Sequence, residues 1–245
     1  MIQRTVDKSD FPVGMCEEIE RVLEECKSLP DGLSVYQPVI NSPLMFPLQR
    51  PAEMVRMFAA AGVRSAVRPK VVMEIGADKS GGLYHWCRSV GKVELVIGCE
   101  IRGTPYSRLF ERAFPNIQFV WGRDSRQREF VDMVRVVSDN YGGIDCLFID
   151  GDKSKFLEDF NTYRPMVRSG GVIFLHDITD FPGPKEAWNV LRREYKDSYT
   201  IIDGSTDVLP ALERQSKGID CKTAHESWLR HWYGRSCGVG VIPIP

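Results

Sequence analysis

The fold of this chain is decided by the stretch Val71-Val72-Met73-Glu74-Ile75-Gly76-Ala77-Asp78-Lys79-Ser80-Gly81-Gly82. An apolar run, a turn rich in glycine and a helix-like segment follow one another in it, which is the pattern of a strand that leads into a helix. Two later apolar runs, Val93–Cys99 and Ile144–Ile149, also end on acids, at Glu100 and at Asp150-Gly151-Asp152. Ligands of open α/β sheets bind beyond the carboxyl ends of the strands, so these acids are expected to meet in one crevice. The sequence therefore predicts a ligand site at that edge of the sheet.

Strand-like and helix-like segments alternate along most of the chain. Strands are predicted at 70–76, 93–100, 117–121, 144–150, 171–176, 199–203 and 238–244, and helices at 80–90, 104–113, 125–138, 154–168 and 184–196. Such alternation implies right-handed crossovers between parallel strands. The predicted fold class is α/β: a Rossmann-like, doubly wound, mostly parallel seven-stranded sheet with helices on both faces and an N-terminal helical extension.

Two parts of the chain fall outside this alternation. Residues 1–69 are predicted to form the N-terminal extension, with one helix over residues 14–27 and another from Pro51 to Gly62. The irregular stretch Tyr36–Gln49 between them could cap the acceptor side of the site. Residues 70–245 are predicted to form the α/β domain, with an insertion at 204–237 before the last strand.

Composition excludes several classes of protein. The 245 residues, 43% of them hydrophobic, can bury a full core. The formal charge of -1 gives no overall attraction to nucleic acid or to an anionic membrane. No apolar stretch reaches the roughly 18 residues of a membrane span, and the first residues lack the apolar region of a signal peptide. We therefore expect a cytoplasmic protein without a membrane or nucleic-acid partner. Its seven cysteines form no C-x-x-C pair, so a zinc site is not indicated, and their odd number argues against a complete disulfide framework.

The glycine-rich turn also discriminates between nucleotides. A dinucleotide pyrophosphate needs G-x-G-x-x-G, so that bare backbone can approach the phosphates. The position of the second glycine is held by Asp78, whose carboxylate repels phosphate. S-adenosylmethionine has no phosphate and carries a sulfonium and an ammonium, which are compatible with acids near the turn. The two oxygens of Glu100 could accept hydrogen bonds from both of its ribose hydroxyls.

Three motifs carry a resemblance to a known family. They are Glu74-Ile75-Gly76 with the following Gly81-Gly82, then Ile149-Asp150-Gly151-Asp152, then Gly170-Gly171-Val172-Ile173-Phe174-Leu175-His176-Asp177. Together they resemble the class I S-adenosylmethionine-dependent methyltransferases, and within these they are most similar to the branch of the cephalosporin hydroxylase-like proteins and the macrocin and rhamnosyl O-methyltransferases. The resemblance returns at Gly238-Val239-Gly240-Val241, which in this family would lie in an antiparallel seventh strand.

The chain departs from the pattern of this family at three positions. Ser80 stands where the family usually has a glycine. Lys153 replaces the common histidine or leucine after Gly-Asp, and His176 replaces an acid just before the last strand-end aspartate. The last two changes bear on the use of a metal.

The resemblance implies S-adenosylmethionine as the cofactor and a hydroxyl of a small-molecule or sugar-containing acceptor as the methylated group. The residues implied to hold the cofactor are Glu74, Gly76, Ala77, Ser80, Gly81, Glu100, Asp124, Ser125 and Asp150. The glycines alone could mark only a tight turn. Asp124 could accept a hydrogen bond from the adenine, but Asp124 and Ser125 could also cap the next helix.

The resemblance also implies a magnesium site. In the similar O-methyltransferases, acids at the first position of Asp-Gly-Asp and at the end of the next strand bind Mg²⁺, which here selects Asp150 and Asp177. Carboxylate oxygens suit this ion. Asp152 would then be the catalytic base that takes the proton of the acceptor hydroxyl. In the alternative, Asp150 and Asp152 cap a helix that begins near Ser154, and Asp177 only ends a strand.

The aromatic and basic segment His225–Arg235 lies in the predicted insertion. Trp228 and Trp232 are four residues apart and would share one face of a helix, which could either pack on the sheet edge or cover the acceptor. The leading function is that of an O-methyltransferase. The alternatives are a non-catalytic cofactor-binding or assembly protein and, third, an NAD-linked oxidoreductase. Whether the chain forms a homo-oligomer is left open.

Overall fold

The computed structural model describes residues 51–62, 68–78, 80–90, 92–103, 107–202 and 237–245. The helices are α1 Pro51–Ala60, α2 Gly81–Val90, α3 Ser107–Ala113, α4 Arg128–Asp139, α5 Phe156–Tyr163 and α6 Pro182–Glu194. The strands are β1 Val71–Ile75, β2 Leu95–Cys99, β3 Gln118–Gly122, β4 Ile144–Ile149, β5 Val167–His176, β6 Tyr199–Ile201 and β7 Val239–Pro243. The predicted helix at 14–27, the stretch Tyr36–Gln49 and the segment His225–Arg235 lie outside the described residues.

The seven strands form one sheet in the order β3-β2-β1-β4-β5-β7-β6. The pairs from β3 to β5 are parallel, and β7 is antiparallel to both of its neighbours. The chain order reverses between β1 and β4, which is where an open α/β sheet forms its ligand crevice. The predicted fold class, with its antiparallel last strand, is confirmed.

Register places the strand-end residues side by side. Ile75 of β1 is level with Cys99 of β2 and with Ile149 of β4. The backbone N–H of Gly76 donates to the Cys99 carbonyl at 2.8 Å, and that of Asp150 donates to the Ile75 carbonyl at 2.8 Å. The acid that follows each strand therefore emerges at the same edge of the sheet.

The core lies on both faces of the sheet. All five residues of β1 are buried, as is usual for central parallel strands. Val72 packs with Met57 and Trp86 in the cluster that helices α1 to α3 cover. Met73 packs with Phe160 in the cluster on the opposite face, which helices α4 to α6 cover. The described cysteines, Cys87, Cys99, Cys146 and Cys237, are buried free thiols.

Several element boundaries differ from the predictions, and three of these differences have a local cause. Helix α4 begins at Arg128, later than predicted, because Asp124 and Arg126 form a turn before it. Helix α5 ends at Tyr163 and gives way to a 3-10 turn that contains a proline, which cannot donate the helical hydrogen bond. Strand β5 begins at Val167, because the register shift beside Gly170-Gly171 lets the chain pair with β4 on both sides of the irregularity.

Candidate functional site

The turn after β1 brings the backbone close to the end of β4. Gly76 has φ +85, and a Cβ built on it would lie 2.4 Å from the carbonyl oxygen of Asp150. Only glycine fits both the conformation and the space. This glycine therefore allows the β1 and β4 loops to meet at one point.

Three non-glycine residues among those described adopt positive φ angles. They are Asp78 at 39°, Ser80 at 62° and Asp177 at 62°, and all three lie in loops at the carboxyl ends of strands. Such conformations cost about 1–3 kcal/mol each and concentrate at functional sites. Ser80, at the position where the family usually has a glycine, thus takes a left-handed conformation.

A cavity of about 540 Å³ lies beyond the strand ends, within the usual size range of small-molecule sites. Six carboxylate side chains line it: Asp78, Glu100, Asp124, Asp150, Asp152 and Asp177. Its lysine and arginine side chains are Arg102, Arg123, Arg126 and Lys153. His176 also lines the cavity, so six acids face five basic side chains and a small excess of negative charge favours a ligand with positive charge.

Glu100 follows β2 directly, and only 7% of it is exposed. Its Oε2 accepts the backbone N–H of Asp78 at 3.0 Å, and its Oε1 accepts the backbone N–H and the Nε–H of Arg102 at 3.1 and 3.2 Å. Arg102 also pairs with Asp78 at 2.5 Å, although its own side chain is 76% exposed. Backbone N–H groups therefore fix the Glu100 carboxylate. The long, exposed side chain of Arg102 covers its open side.

Asp124 and Ser125 follow β3, but neither caps α4, whose N-cap is Gln127. Asp124 Oδ1 accepts the backbone N–H of Arg126 at 3.0 Å, which together with the guanidinium lowers the pKa of this carboxyl against the opposing effect of burial. Ser125 Oγ donates to Asp159 Oδ1 at 2.7 Å. Asp124 thus keeps a partly exposed carboxylate at the cavity, while the Ser125 hydroxyl is turned toward α5.

Glu74 lies beneath the turn rather than on the cavity wall. It is 2% exposed, and the Cβ that Gly82 lacks would lie 2.7 Å from its Oε1. Burial and the nearby Asp150 raise the pKa of Glu74 well above its ordinary value. Its Oε2 and the buried hydroxyl of Ser80 have no hydrogen-bond partner. Two orphaned polar groups therefore lie at the base of the glycine-rich turn.

A set of ion pairs connects the ends of β4 and β5. Lys153 Nζ lies 2.5 Å from Asp150 Oδ1 and 2.6 Å from Asp177 Oδ2. Burial acts against ionisation of Asp177, but His176 and Lys153 outweigh it and hold the pKa of Asp177 well below its ordinary value. Both carboxylates are therefore matched by cations.

His176, the last residue of β5, is almost fully buried. Its Nδ1 lies 3.2 Å from Asp150 Oδ1 and 3.2 Å from Asp177 Oδ1, and its Nε2 lies 3.8 Å from Glu53 Oε2. Burial lowers the pKa of His176, but these carboxylates, Asp150 foremost, raise it well above its ordinary value. Helix α1 thus contributes a buried acid, Glu53, to the rear of the site.

Asp152 is about half exposed and points toward solvent at the cavity rim. Its Oδ1 accepts the backbone N–H of Ser154 at 3.0 Å and the Ser154 hydroxyl at 2.8 Å, which lowers the pKa of Asp152. Its Oδ2 lies 3.7 Å from Arg126. Helix α5 begins only at Phe156, so Asp152 stabilises a turn before the helix and keeps one oxygen toward the cavity.

Comparisons with known proteins agree with this arrangement. Residues 74–178, which run from Glu74 to just beyond Asp177, match a family profile described as a methyltransferase domain. These residues form a methyltransferase domain. The methyltransferase recognised from the sequence motifs is thereby confirmed, whereas its likeness to the cephalosporin hydroxylase-like and macrocin branch stays a prediction. A comparison with curated protein sequences gave no match.

Solved structures share the fold of this methyltransferase domain. One is the O-methyltransferase TomG from Streptomyces achromogenes, which is involved in tomaymycin synthesis and was solved in complex with S-adenosylmethionine. Its sequence identity is 12%, the alignment covers 91% of this chain and 90% of that chain, and the TM-score is 0.53. Another is an O-methyltransferase from Bacillus cereus in complex with S-adenosylhomocysteine, with 14% identity, 96% and 94% coverage and a TM-score of 0.54. At these identities the likeness establishes the fold.

Asp150, His176 and Asp177 offer ligand atoms that lie within 4.8 Å of one another, as a metal site requires. The ammonium of Lys153, however, already lies between Asp150 and Asp177. With Lys153 in this position, Asp150 and Asp177 do not accommodate a divalent cation between them as well. The magnesium predicted from the sequence stays a prediction, and the position of Lys153 argues against it.

The structure brings most of the predicted residues to one cavity. Those that line it are Gly76, Glu100, Asp124, Ser125, Asp150, Asp152 and Asp177. Glu74, Ala77 and Ser80 are buried, and with Gly81 they form the end of β1, the turn and the start of α2. No helix of the described residues is long and apolar enough to span a membrane.

Sequence reasoning missed three residues of this site. Arg102 lies two residues after Glu100, a spacing that could have suggested the ion pair. Arg126 likewise follows Asp124 by two residues. Glu53 had no such signal, because an acid in the first turn of a helix is favourable for the helix itself.

Proposed function

We propose that this methyltransferase domain binds S-adenosylmethionine and transfers its methyl group to a hydroxyl of a small-molecule acceptor, including sugar-containing acceptors. The observation that carries the proposal is the placement of Glu100, Asp124 and the Asp150–Asp152 loop around a single cavity at the switch point of the sheet. Each of these residues follows a different parallel strand. This edge is where the fold binds its ligands.

The cofactor would lie across the ends of β1, β2 and β3. Glu100 would accept hydrogen bonds from the ribose hydroxyls, and Asp124 would accept one from the adenine amino group. Glu74 and Ser80 lie behind the cavity wall and would support the turn from Gly76 to Gly81, which would meet the amino acid end of the cofactor. The residues present therefore fit this group.

The charge of the cavity argues for this cofactor rather than for NAD. Asp78 stands where a dinucleotide fold needs bare backbone, and its carboxylate is at the cavity wall. The carboxylates of the cavity attract the positive sulfonium of this cofactor, whereas they repel the negative pyrophosphate of NAD. Arg102 is the counter-charge of Asp78 in the ligand-free state.

The bound cofactor supplies an electrophilic methyl group. The acceptor oxygen would form the new C–O bond while the C–S bond breaks, and the hydroxyl proton must leave. We assign that proton to Asp152 Oδ2, the oxygen that Ser154 does not engage. The lowered pKa of Asp152 keeps it ionised and makes it a modest base, so alignment of the acceptor would supply much of the rate enhancement.

Binding and turnover can be tested separately. Calorimetric titration of the full chain with S-adenosylmethionine, S-adenosylhomocysteine and NAD should show saturable binding of the first two alone. S-Adenosylhomocysteine release should then be measured with a panel of hydroxylated aromatic and sugar-containing acceptors. Binding without turnover of any acceptor would favour the non-catalytic alternative, and binding of NAD alone would overturn the proposal.

Asp152→Asn tests the assignment of the base. Because Asn keeps the shape but cannot take the proton, the variant should retain cofactor affinity and lose rate by about 10²–10⁴-fold. The matched control is Asp132→Asn, an exposed carboxylate on α4 outside the cavity, which should leave the rate unchanged. Full activity of Asp152→Asn would remove Asp152 from the chemistry.

A further inference from the structure

We infer that Lys153 takes the place of a divalent cation, so that the methyl-transfer site works without a metal ion. This inference deepens the proposed function and rests on it. Lys153 comes from the same loop as Asp150 and Asp152, three residues after Asp150. Its ammonium is therefore delivered to the strand ends by the chain itself.

The position of the ammonium is that of a bridging cation. Nζ contacts one oxygen from the end of β4, Asp150 Oδ1 at 2.5 Å, and one from the end of β5, Asp177 Oδ2 at 2.6 Å. It also lies 3.2 Å from the Asp150 carbonyl oxygen. A magnesium ion would need the same two oxygens at about 2.0–2.1 Å. The ammonium and the metal ion thus compete for one position.

The third potential ligand is also engaged. His176 Nδ1 lies 3.2 Å from Asp150 Oδ1 and 3.2 Å from Asp177 Oδ1. A carboxylate only accepts hydrogen bonds, so this nitrogen must carry its proton to form the hydrogen bond with Asp150 Oδ1. A protonated ring nitrogen has no lone pair for a metal. A metal ion would therefore lose His176 Nδ1 as a ligand, in addition to the position that the Lys153 ammonium occupies.

Burial and packing hold Lys153 in place. The side chains of Asp150 and Asp177 are 5% and 7% exposed, so their ion pairs with Lys153 are shielded from water. The ammonium lies 5.3 Å from the ring centre of Phe156 and 5.7 Å from that of Phe181, within cation–π range. Leaving this position would uncover two buried carboxylates, which is costly.

Replacement of the metal ion by Lys153 would change how the site recognises its acceptor. A magnesium ion binds acceptor oxygens directly, and would select molecules that can chelate it. A lysine held by two carboxylates is a fixed point charge without open coordination positions. Acceptors would then be selected by the walls of the cavity, and a single hydroxyl would suffice.

Binding of Mn²⁺, a paramagnetic substitute for Mg²⁺, tests the inference without any assay of activity. The full chain is treated with a chelator, dialysed and titrated with Mn²⁺, and free Mn²⁺ is followed by electron paramagnetic resonance. Wild type and Lys153→Arg, which keeps the cation, should show no saturable binding. Lys153→Ala should gain one site with at least tenfold higher affinity, and the added change Asp177→Asn should abolish it.

Two controls keep this test decisive. If Lys153→Ala does not fold, the wild type and Asp177→Asn suffice: one Mn²⁺ bound by wild type and lost in Asp177→Asn would overturn the inference. Equal Mn²⁺ affinity of wild type and Lys153→Ala would overturn it too. S-Adenosylhomocysteine affinity, measured with and without chelator, separates the two claims. Absent affinity would refute the proposed function, whereas affinity that needs the metal would refute only the replacement by Lys153.

Discussion

Glu74 is a buried carboxyl whose ionisation affects the stability of the fold. Burial, with the nearby Asp150, raises the pKa of Glu74, so folding favours its protonated form. Stability from this group is fully present below its unfolded pKa of about 4.3 and is lost as pH rises through the folded pKa. Ionised Glu74 should therefore destabilise the ligand-free protein as pH rises through its folded pKa.

Glu74→Gln tests whether ionisation of Glu74 lowers the stability of the protein. The amide cannot ionise, so the variant should be more stable than wild type by roughly 1 kcal/mol at pH 8, with a smaller difference at pH 5. Urea unfolding at the two pH values measures it. The same variant should bind S-adenosylmethionine more weakly. A stability difference that does not change with pH would contradict the burial of an ionisable Glu74.

Glu100→Ala tests the ribose contact. Loss of hydrogen bonds to a charged group should weaken S-adenosylhomocysteine binding by roughly 1.5–3 kcal/mol, measured by calorimetry. The matched control is Arg102→Ala, which removes the guanidinium from Glu100 Oε1 and should leave the affinity unchanged or higher. Unchanged affinity in folded Glu100→Ala would remove Glu100 from the site.

Ser80→Gly tests the strain in the turn. Glycine takes φ +62 without steric cost, and the change also deletes a buried hydroxyl that has no partner. We expect a net gain of roughly 0.5–1 kcal/mol after the larger chain entropy of glycine is counted. Ser80→Ala keeps the Cβ and removes only the hydroxyl. A glycine variant less stable than the alanine variant would show that the turn is unstrained.

At the scale of elements, the strands were predictable because their sequences are continuous apolar runs. β1, β2 and β4 are buried along their whole length, so one signal gives both type and position. Helix starts were less predictable. Asp124 and Asp152 carry the residue type of a helix cap, yet each forms a turn before a helix that begins later.

Gly98 of β2 shows how tightly these elements pack. A Cβ there would lie 2.5 Å from the Trp121 ring, which stacks on Phe119 at an interplanar angle of 3°. The ring cannot move away freely, because Phe110 packs against it from α3. Gly98→Ala should therefore cost about 1–3 kcal/mol of stability by overpacking.

A double-mutant cycle identifies the cause. Trp121→Leu removes the ring that the new methyl group meets, so the double variant should lose less stability than the sum of the single losses. Denaturant unfolding of the four proteins gives the coupling energy. Additive losses would place the cost of Gly98→Ala elsewhere, for example in the contact with Leu83.

At the scale of the whole molecule, the edge of the sheet that carries the site followed from the sequence alone. Strand-end acids such as Glu100 and Asp150 are readable because parallel register aligns the ends. The pairing of Lys153 with Asp177 was not readable, since it depends on side-chain directions across two loops. Glu53 was not readable either, because only tertiary packing of α1 brings it to His176.

We propose that the cavity at the strand ends holds the cofactor of a methyltransferase. The most direct test is a crystal structure of the full chain with S-adenosylhomocysteine. We expect the ribose hydroxyls at about 3 Å from the Glu100 oxygens, the adenine beside Asp124, and the sulfur facing the Asp150–Lys153 loop. Density for the ligand away from this cavity, or a ribose that does not contact Glu100, would contradict it.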